Sequence, residues 1–235
     1  MEVQRCAACS LNSLERDCAL LVVDVQNDFA DKRGALYVTD GEQVVPLANR
    51  LRRLFQTVVF TKDWHPRKHI SFASSHPGKR PFEQVEVSDN SIEKRVLWPD
   101  HCVQNTWGAE LHSDLVVDKD RDIIFEKGTT VDRDSYSAFR DETGTETGLR
   151  HILDTLGIKR VFICGLAYDY CVGLTALDAI AIGFDVLLVE NATKAITIDG
   201  FKCMRQKLLQ NGVRLVHFEQ SQQAFFESIS KEDNL

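Results

Sequence analysis

Short apolar runs alternate with segments of helical periodicity along most of the chain. Six of these runs have the length and apolar content of buried strands. The predicted strands are Cys18–Val25, Thr57–Lys62, Asp122–Glu126, Arg160–Gly165, Asp185–Glu190 and Val213–Phe218. Between them, apolar residues recur at helical spacing, most clearly over Val44–Phe55 and Leu149–Leu156. The alternation predicts a single three-layer α/β/α domain around a six-stranded, mostly parallel, doubly wound sheet.

The expected domain boundaries follow from where this pattern starts and stops. We expect a loose N-terminal segment over residues 1–17, a folded domain over residues 18–227 and a polar C-terminal tail over residues 228–235. From about Trp64 to Leu97 the chain is rich in Pro, His, Ser, Lys and Arg and shows no periodicity. This stretch predicts a long excursion from the sheet, and excursions of that length are often functional.

Composition and charge exclude several classes of protein. Of the 235 residues, 43% are hydrophobic and 27% are charged, which is an ordinary globular balance. The formal net charge of -7 opposes binding to nucleic acid or to an anionic membrane. No apolar run approaches the roughly 20 residues of a membrane-spanning helix. We therefore expect a small-molecule substrate and no nucleic-acid or membrane partner, and we leave open whether the chain forms a homo-oligomer.

The seven cysteines are odd in number and irregular in spacing. This favours free thiols in the cytoplasm or another reducing compartment. Cys6 and Cys9 form a C-x-x-C, but no second ligand pair or βαβ context accompanies it, so we interpret the pair as incidental. A non-catalytic thiol redox sensor is an alternative hypothesis. It requires an exposed cysteine of low pKa beside a resolving partner, and Cys164, the nearest candidate to Cys171, is expected inside a strand.

Three residues at or just beyond the ends of predicted strands could perform nucleophilic chemistry together. Ligands of open parallel sheets bind at the carboxyl ends of the strands, where Asp24, Lys127 and Cys171 all fall. Cys171 opens a predicted helix over residues 169–183, whose N–H groups and dipole would favour a thiolate. Asp24 could accept the thiol proton and pass it to a leaving group, and Lys127 could stabilise both charges. Taken singly, each residue also fits a structural role as a buried thiol, a turn cap or a solvated side chain.

Asp63 and His65 suggest a metal site at the same edge. Residues spaced i, i+2 in extended chain share a face, and a carboxylate with an imidazole suits a divalent metal. A third ligand is needed. His101 is one candidate, and His69 and His76, both in the excursion, are alternatives.

Six motifs in these segments resemble the isochorismatase-like cysteine hydrolases, and within them the nicotinamidase branch. They are DVQNDF at Asp24–Phe29, KDWHP at Lys62–Pro66, HISFA at His69–Ala73, WPDHCVQNTWGAE at Trp98–Glu110, EKG with DSYSAF within Glu126–Phe139, and GLAYDYCV at Gly165–Val172. The resemblance runs from about Ala19 to Phe218, which makes residues 18–227 an isochorismatase-like hydrolase domain. Six motifs in the family's order are far more specific than any one alone.

The resemblance implies a reaction and its principal residues. It implies a catalytic triad of Asp24, Lys127 and Cys171, and hydrolysis of nicotinamide to nicotinic acid and ammonia through a Cys171 thioester, which feeds NAD salvage. It also implies one divalent metal ion held by Asp63, His65 and His101, with zinc as the first expectation and iron or manganese as alternatives. The metal would hold the ring nitrogen of the substrate.

Further site residues follow from the resemblance alone. The substrate ring is expected against Phe29, Trp98 and Tyr136. The backbone N–H groups of Ala167 and Cys171 are expected to form an oxyanion hole, with a cis peptide bond preceding Ala167.

Two features leave the substrate assignment open at this point. Tyr168 stands where many relatives have a small or hydroxyl residue, so it could alter the pocket wall. Metal-free relatives hydrolyse isochorismate or N-carbamoyl compounds, and such a substrate is the alternative reading. Retention of both DWH and WPDH argues against it.

Overall fold

The six predicted strands all form and lie parallel in one sheet. The computed structural model describes residues 17–86 and 94–218, together with Phe225. The strands of the sheet are β1 Cys18–Val23, β2 Thr57–Asp63, β5 Ile123–Lys127, β6 Arg160–Leu166, β7 Asp185–Lys194 and β8 Arg214–Val216. Their order is β5-β2-β1-β6-β7-β8. The predicted α/β fold class is therefore confirmed.

The strand order places the predicted reactive residues side by side. From β1 the chain adds β2 and β5 on one side, then returns to β6 on the other side of β1. The crevice between β1 and β6 is the topological switch point at which doubly wound sheets bind ligands. The neighbouring strands β5, β2, β1 and β6 thus deliver their carboxyl ends to one region.

Helices cover both faces of the sheet. They are α1 Asn27–Ala30, α2 Val44–Arg52, α3 Leu149–Thr155, α4 Gly173–Ala181 and α5 Ile198–Gln210, with short 3-10 helices at Gly41–Gln43, Ala73–Ser75 and Trp107–Ala109. Leu20 and Val22 of β1 pack in the same apolar cluster as α2. Leu21 and Val23 join the cluster that contains α3, α4 and α5. Because alternate residues of a strand face opposite ways, a fully buried β1 forms the middle of three layers. None of the helices described is long and apolar enough to cross a membrane.

Three details differ from the predicted pattern. β1 ends at Val23 rather than Val25, because Asp24 adopts a positive φ of 49° that leaves the strand conformation. β7 continues to Lys194, with a register shift against β6. The excursion contains an antiparallel pair, β3 Gln84–Glu86 and β4 Lys94–Val96.

Some predictions concern residues outside the described part of the chain. These are the Cys6 and Cys9 motif, nearly all of the N-terminal segment over residues 1–17, and the tail over residues 228–235.

Candidate active site

The carboxyl ends of four neighbouring strands bring an aspartate, a lysine and a cysteine together. Asp24 directly follows β1, and Lys127 is the last residue of β5, where it pairs in register with Asp63 of β2. Cys171 follows β6 in a π-helical turn, Tyr168–Val172, that leads into α4. The side chains of these four residues are all buried.

Lys127 is the centre of this cluster. Its Nζ atom lies 2.9 Å from Asp24 Oδ2 and 2.5 Å from Asp63 Oδ1. It also donates to the Ser135 carbonyl at 2.8 Å and to Cys171 Sγ at 3.5 Å. Burial acts to lower the pKa of Lys127, but the two carboxylates outweigh it and raise the pKa well above its ordinary value. Lys127 is therefore a permanent ammonium between the two acids and the thiol.

Cys171 has a proton acceptor in reach. A carboxylate oxygen of Asp24 and the Cys171 sulfur lie within 4.8 Å of one another. Burial raises the pKa of the Cys171 thiol well above its ordinary value, with Lys127 opposing the shift. Burial therefore opposes the thiolate that a helix N-terminus would favour, and Lys127 supplies the nearby positive charge that supports it. Burial also raises the pKa of Asp24, which makes this carboxyl a better proton acceptor than an exposed aspartate.

Asp63, His65 and His101 have the geometry of a metal site. One ligand atom from each lies within 4.8 Å of the other two, and all three residues are buried. His65 Nδ1 lies 2.9 Å from the Gly128 carbonyl, and His101 Nδ1 lies 2.8 Å from the Pro99 carbonyl. A carbonyl can only accept, so each Nδ1 carries a proton and each Nε2 is left to bind a cation. The donor set therefore fits a divalent metal such as zinc.

The pKa shifts of Asp63 and His101 favour the protonation states that bind a cation. Burial acts to raise the pKa of Asp63, but Lys127 and His65 outweigh it and hold the pKa far below its ordinary range, so Asp63 remains a carboxylate. Burial lowers the pKa of His101, which favours the neutral imidazole that binds metals.

Gly128 has a φ of +62°, and a Cβ atom there would come 2.5 Å from the His65 ring. Glycine is therefore required for His65 to pack in this orientation.

His69, an alternative third ligand, is already engaged through both ring nitrogens. Its Nδ1 lies 2.6 Å from Ser71 Oγ and its Nε2 lies 3.0 Å from the Arg133 carbonyl. Its ring stacks on His65 with centroids 4.0 Å apart. Burial lowers its pKa to about 4, so it is a neutral support for the His65 ring.

His76, the other alternative, does not join any described group of candidate ligands. Its Nε2 donates to the Ile70 carbonyl at 2.7 Å. His101 is therefore favoured as the third member of the cluster, because His76 lies outside it and both ring nitrogens of His69 are already hydrogen-bonded.

A pocket opens above the reactive groups and contains every residue predicted to contact the substrate ring. Phe29, Trp98 and Tyr136 line it, and Trp98 Nε1 donates to the Tyr136 hydroxyl at 2.8 Å. The other lining residues are Leu36, Asp63, His65, His101, Asp134, Ala167, Tyr170, Cys171 and Ile196. The aromatic wall, the candidate metal ligands and the thiol therefore share one space.

Tyr170 is a pocket residue that sequence reasoning missed. Its ring packs edge-on against Trp98, with centroids 5.0 Å apart, and also contacts Tyr136. The signal was its place directly before Cys171, but only the π-helical turn shows that both side chains face the pocket.

The segment after β6 bears on two further points, the cis peptide bond and Tyr168. The Leu166–Ala167 peptide bond is cis, as the resemblance implied. Tyr168, which could have altered the pocket wall, does not line the pocket, because its side chain is buried on the α5 side. Its hydroxyl donates to Glu190 Oε1 at 3.2 Å, and its ring centroid lies 4.5 Å from that of Phe201.

Gln26 and Asp28, in the first motif, hold the loops that present the candidate metal ligands. Gln26 Oε1 accepts the Asp63 N–H at 2.8 Å, and its Nε2 donates to the Asp63 carbonyl at 2.7 Å. Asp28 Oδ2 accepts the N–H of Cys102, the residue after His101, at 2.7 Å. Sequence reasoning did not assign a role to either residue, because their partners are distant in sequence.

Comparisons with known proteins agree with this architecture. The nicotinamidase of Acinetobacter baylyi is 43% identical over 202 residues, which cover 85% of this chain and 92% of that protein. A solved nicotinamidase/pyrazinamidase from Acinetobacter baumanii matches with a TM-score of 0.81 at 44% identity, over 86% of this chain and 97% of that one. The pyrazinamidase of Pyrococcus horikoshii, solved in complex with zinc, matches with a TM-score of 0.69 at 38% identity, over 86% of this chain and 99% of that one.

The family assignment rests on the length of the match as well as on the site. Residues 18–220 match the isochorismatase domain family, and this range includes every residue of the cluster and pocket described above. The resemblance inferred from the six motifs is thereby confirmed. The chain belongs to the isochorismatase family.

Proposed function

We propose that this chain is a nicotinamidase, which hydrolyses nicotinamide to nicotinic acid and ammonia and so returns the pyridine ring to NAD salvage. The observation that carries the proposal is the convergence of Asp24, Lys127 and Cys171 beneath a pocket that also contains a three-residue metal cluster. A thiol, a proton acceptor and a fixed positive charge are the groups that thioester chemistry on a carboxamide needs.

The first half of the reaction forms the thioester. As the substrate enters, the Cys171 thiol gives its proton to Asp24, and the resulting thiolate attacks the carboxamide carbon. Lys127 stabilises the thiolate at 3.5 Å. The N–H groups of Ala167 and Cys171 receive the charge that develops on the amide oxygen. Asp24 then returns the proton to the leaving nitrogen, and ammonia departs.

The second half restores the thiol. Asp24 accepts a proton from a water molecule, which attacks the thioester carbonyl. Cleavage of the carbon–sulfur bond releases nicotinic acid, and Asp24 gives its proton back to Cys171. One carboxylate thus serves as base and acid in both halves, which suits a buried group with a raised pKa.

The metal cluster would orient the substrate. Asp63, His65 and His101 would hold one divalent cation, with zinc the first candidate and iron or manganese as alternatives. When bound there, the cation would supply a Lewis acid for the aromatic nitrogen of the substrate and would thereby help to orient the carboxamide relative to Cys171. Phe29, Trp98 and Tyr136 enclose the ring.

The domain boundaries, the cellular compartment and the oligomeric state are part of the same proposal. Residues 18–227 form the hydrolase domain, flanked by the segments over residues 1–17 and 228–235. No disulfide joins the cysteines in the described part of the chain, which suits the cytoplasm or another reducing compartment. All residues used in the mechanism belong to one chain, so the chemistry does not require a homo-oligomer.

A redox-sensor function is disfavoured by the placement of the two candidate cysteines. Cys164 and Cys171 pack in different apolar clusters, on opposite faces of the sheet. Burial raises the pKa of Cys164 to about 12, so it is a poor partner for thiol exchange.

A substrate panel tests the proposed function. Purified zinc-loaded protein is incubated with nicotinamide, an N-carbamoyl amino acid or isochorismate, and nicotinic acid and ammonia are quantified. We expect equal amounts of both products from nicotinamide and no turnover of the other two compounds. Turnover of either alternative without nicotinamide hydrolysis would move the function to another branch of the family.

A further inference from the structure

The hydroxyl of Thr61 makes two hydrogen bonds to the residue proposed as general base. Thr61 is fully buried on β2, beside the end of β1. Its hydroxyl donates to Asp24 Oδ1 at 2.5 Å, and the same oxygen accepts the Asp24 N–H at 3.2 Å. The Asp24 N–H also donates to the Thr61 carbonyl at 3.3 Å, so the hydroxyl matters most for the carboxylate of Asp24.

The backbone and side-chain conformations of Asp24 both depend on stabilising contacts. Its φ of 49° lies in the left-handed region, which is costly for a residue with a side chain. The terminal torsion of an aspartate is soft, so an unbound carboxylate would rotate freely. The Thr61 hydroxyl removes this freedom, because it holds one of the two oxygens.

The bond leaves the two carboxylate oxygens in different environments. Oδ1 is occupied by Thr61. Oδ2 is buried, pairs with Lys127 Nζ at 2.9 Å and has no well-aligned hydrogen bond within the described residues. It is therefore the oxygen with capacity left for the proton of Cys171.

We propose that Thr61 is a positioning residue that makes Asp24 Oδ2 the proton acceptor of the reaction. The inference rests on the proposed function, because it assigns the support of that mechanism's base. The hydrogen bond from Thr61 also opposes the rise that burial causes in the pKa of Asp24. Thr61 does not line the substrate pocket, so its effect reaches the reaction only through Asp24.

Loss of this positioning should affect kcat and KM differently. A base displaced from its partner slows proton transfer, and misplacement by about 1 Å costs up to about 100-fold in rate. Substrate contacts remain in place. Loss of the Thr61 hydroxyl should therefore lower kcat by about 10- to 100-fold and leave KM within about threefold.

The test compares Thr61→Val with Thr61→Ser. Valine keeps the volume and the strand preference but lacks the hydroxyl, whereas serine keeps the hydroxyl. Thr175→Val is the matched control, because Thr175 is also fully buried and its hydroxyl accepts the Ala138 N–H at 3.0 Å. Thr61→Ala replaces the valine variant if the latter does not fold, as judged by thermal unfolding.

Two readouts are measured on each variant. The first is kcat and KM for nicotinamide. The second is the rate at which iodoacetamide alkylates Cys171, followed on its peptide by mass spectrometry, with the exposed Cys203 as internal reference. The second readout needs no amide substrate, so it still tests Thr61 if the proposed substrate is wrong.

We expect Thr61→Val to lower kcat and to slow Cys171 alkylation, while Thr61→Ser stays within about threefold of wild type and Thr175→Val is unchanged. A Thr61→Val protein with wild-type kcat and wild-type alkylation would overturn the inference. So would a serine variant as impaired as the valine variant, since packing rather than the hydroxyl would then be responsible. If wild type fails to hydrolyse nicotinamide but the alkylation pattern holds, the positioning role stands and the proposed function falls.

Discussion

Asp63 and Lys127, paired at the ends of β2 and β5, form a 2.5 Å ion pair that joins the two halves of the site. Asp63 Oδ1 contacts the ammonium, and its Oδ2 lies 3.6 Å from His65 Nε2. The same carboxylate thus belongs to the metal cluster and to the charge network around Cys171. In the proposed mechanism, orientation of the substrate and activation of the thiol would therefore be coupled through the Asp63 side chain.

This coupling predicts different phenotypes for two candidate metal ligands. His101→Gln should weaken zinc binding and raise KM but leave iodoacetamide alkylation of Cys171 unchanged, because His101 does not touch Lys127. Asp63→Asn should weaken zinc binding and also change the alkylation rate, because it removes a partner of the ammonium. Zinc affinity is measured by competition with a chromophoric chelator. Identical alkylation rates in the two variants would refute the coupling.

Lys127 is expected to be a major source of stability as well as a catalytic group. Lys127→Met leaves the buried carboxylates of Asp24 and Asp63 without their counter-charge. Removing one partner of a buried ion pair costs about 3–5 kcal/mol of unfolding free energy, to be measured by urea denaturation. The control Lys119→Met removes an exposed lysine and should change stability by less than about 0.5 kcal/mol. A Lys127→Met protein as stable as this control would contradict the charge network.

The two hydrogen bonds that the Gln26 side chain makes to the backbone of Asp63 should contribute to metal binding. Gln26→Met keeps the side-chain volume but loses all three of its hydrogen bonds, two to Asp63 and one to the Ala109 carbonyl. Groups that orient a metal ligand typically contribute about 10- to 100-fold to affinity, so we expect zinc affinity to fall at least about tenfold. Asn27→Ala, which loses one bond to the Trp107 carbonyl, is the comparison. Equal zinc affinities in the two variants would show that the hydrogen bonds from Gln26 to Asp63 have no such role.

Tyr170 should contribute to substrate binding through its ring. Tyr170→Ala removes the edge-on contact with Trp98, and an aromatic pair is worth about 0.5–1.5 kcal/mol. KM for nicotinamide should therefore rise by about 3- to 10-fold with little change in kcat, whereas Tyr170→Phe should behave as wild type. An unchanged KM in the alanine variant would remove Tyr170 from the binding wall.

The fold could be predicted from sequence because buried parallel strands are short continuous apolar runs. The six strands form close to the predicted positions, and their carboxyl ends bring Asp24, Lys127 and Cys171 together as expected. The pair β3 and β4 was missed because each strand has only three residues, most of them polar, which give no continuous apolar run.

Other features depend on contacts that sequence does not encode locally. The choice of His101 over His69 follows from which ring nitrogens are already hydrogen-bonded. The rise that burial causes in the pKa of Cys171 could not be predicted from its position at a helix start, because it depends on how tightly the residue is enclosed. The roles of Gln26 and Thr61 come from partners more than 30 residues away, each separated by 37 positions from Asp63 and Asp24 respectively.

The measurement that tests the central claim most directly is ammonia release from nicotinamide by zinc-loaded wild type, Cys171→Ala and Cys203→Ala. Cys203 is exposed on α5 and outside the site, so its variant controls for the loss of a thiol. We predict stoichiometric ammonia and nicotinic acid from wild type and Cys203→Ala, and none above background from Cys171→Ala. Wild-type turnover by Cys171→Ala would contradict a mechanism in which the Cys171 thiolate attacks the amide.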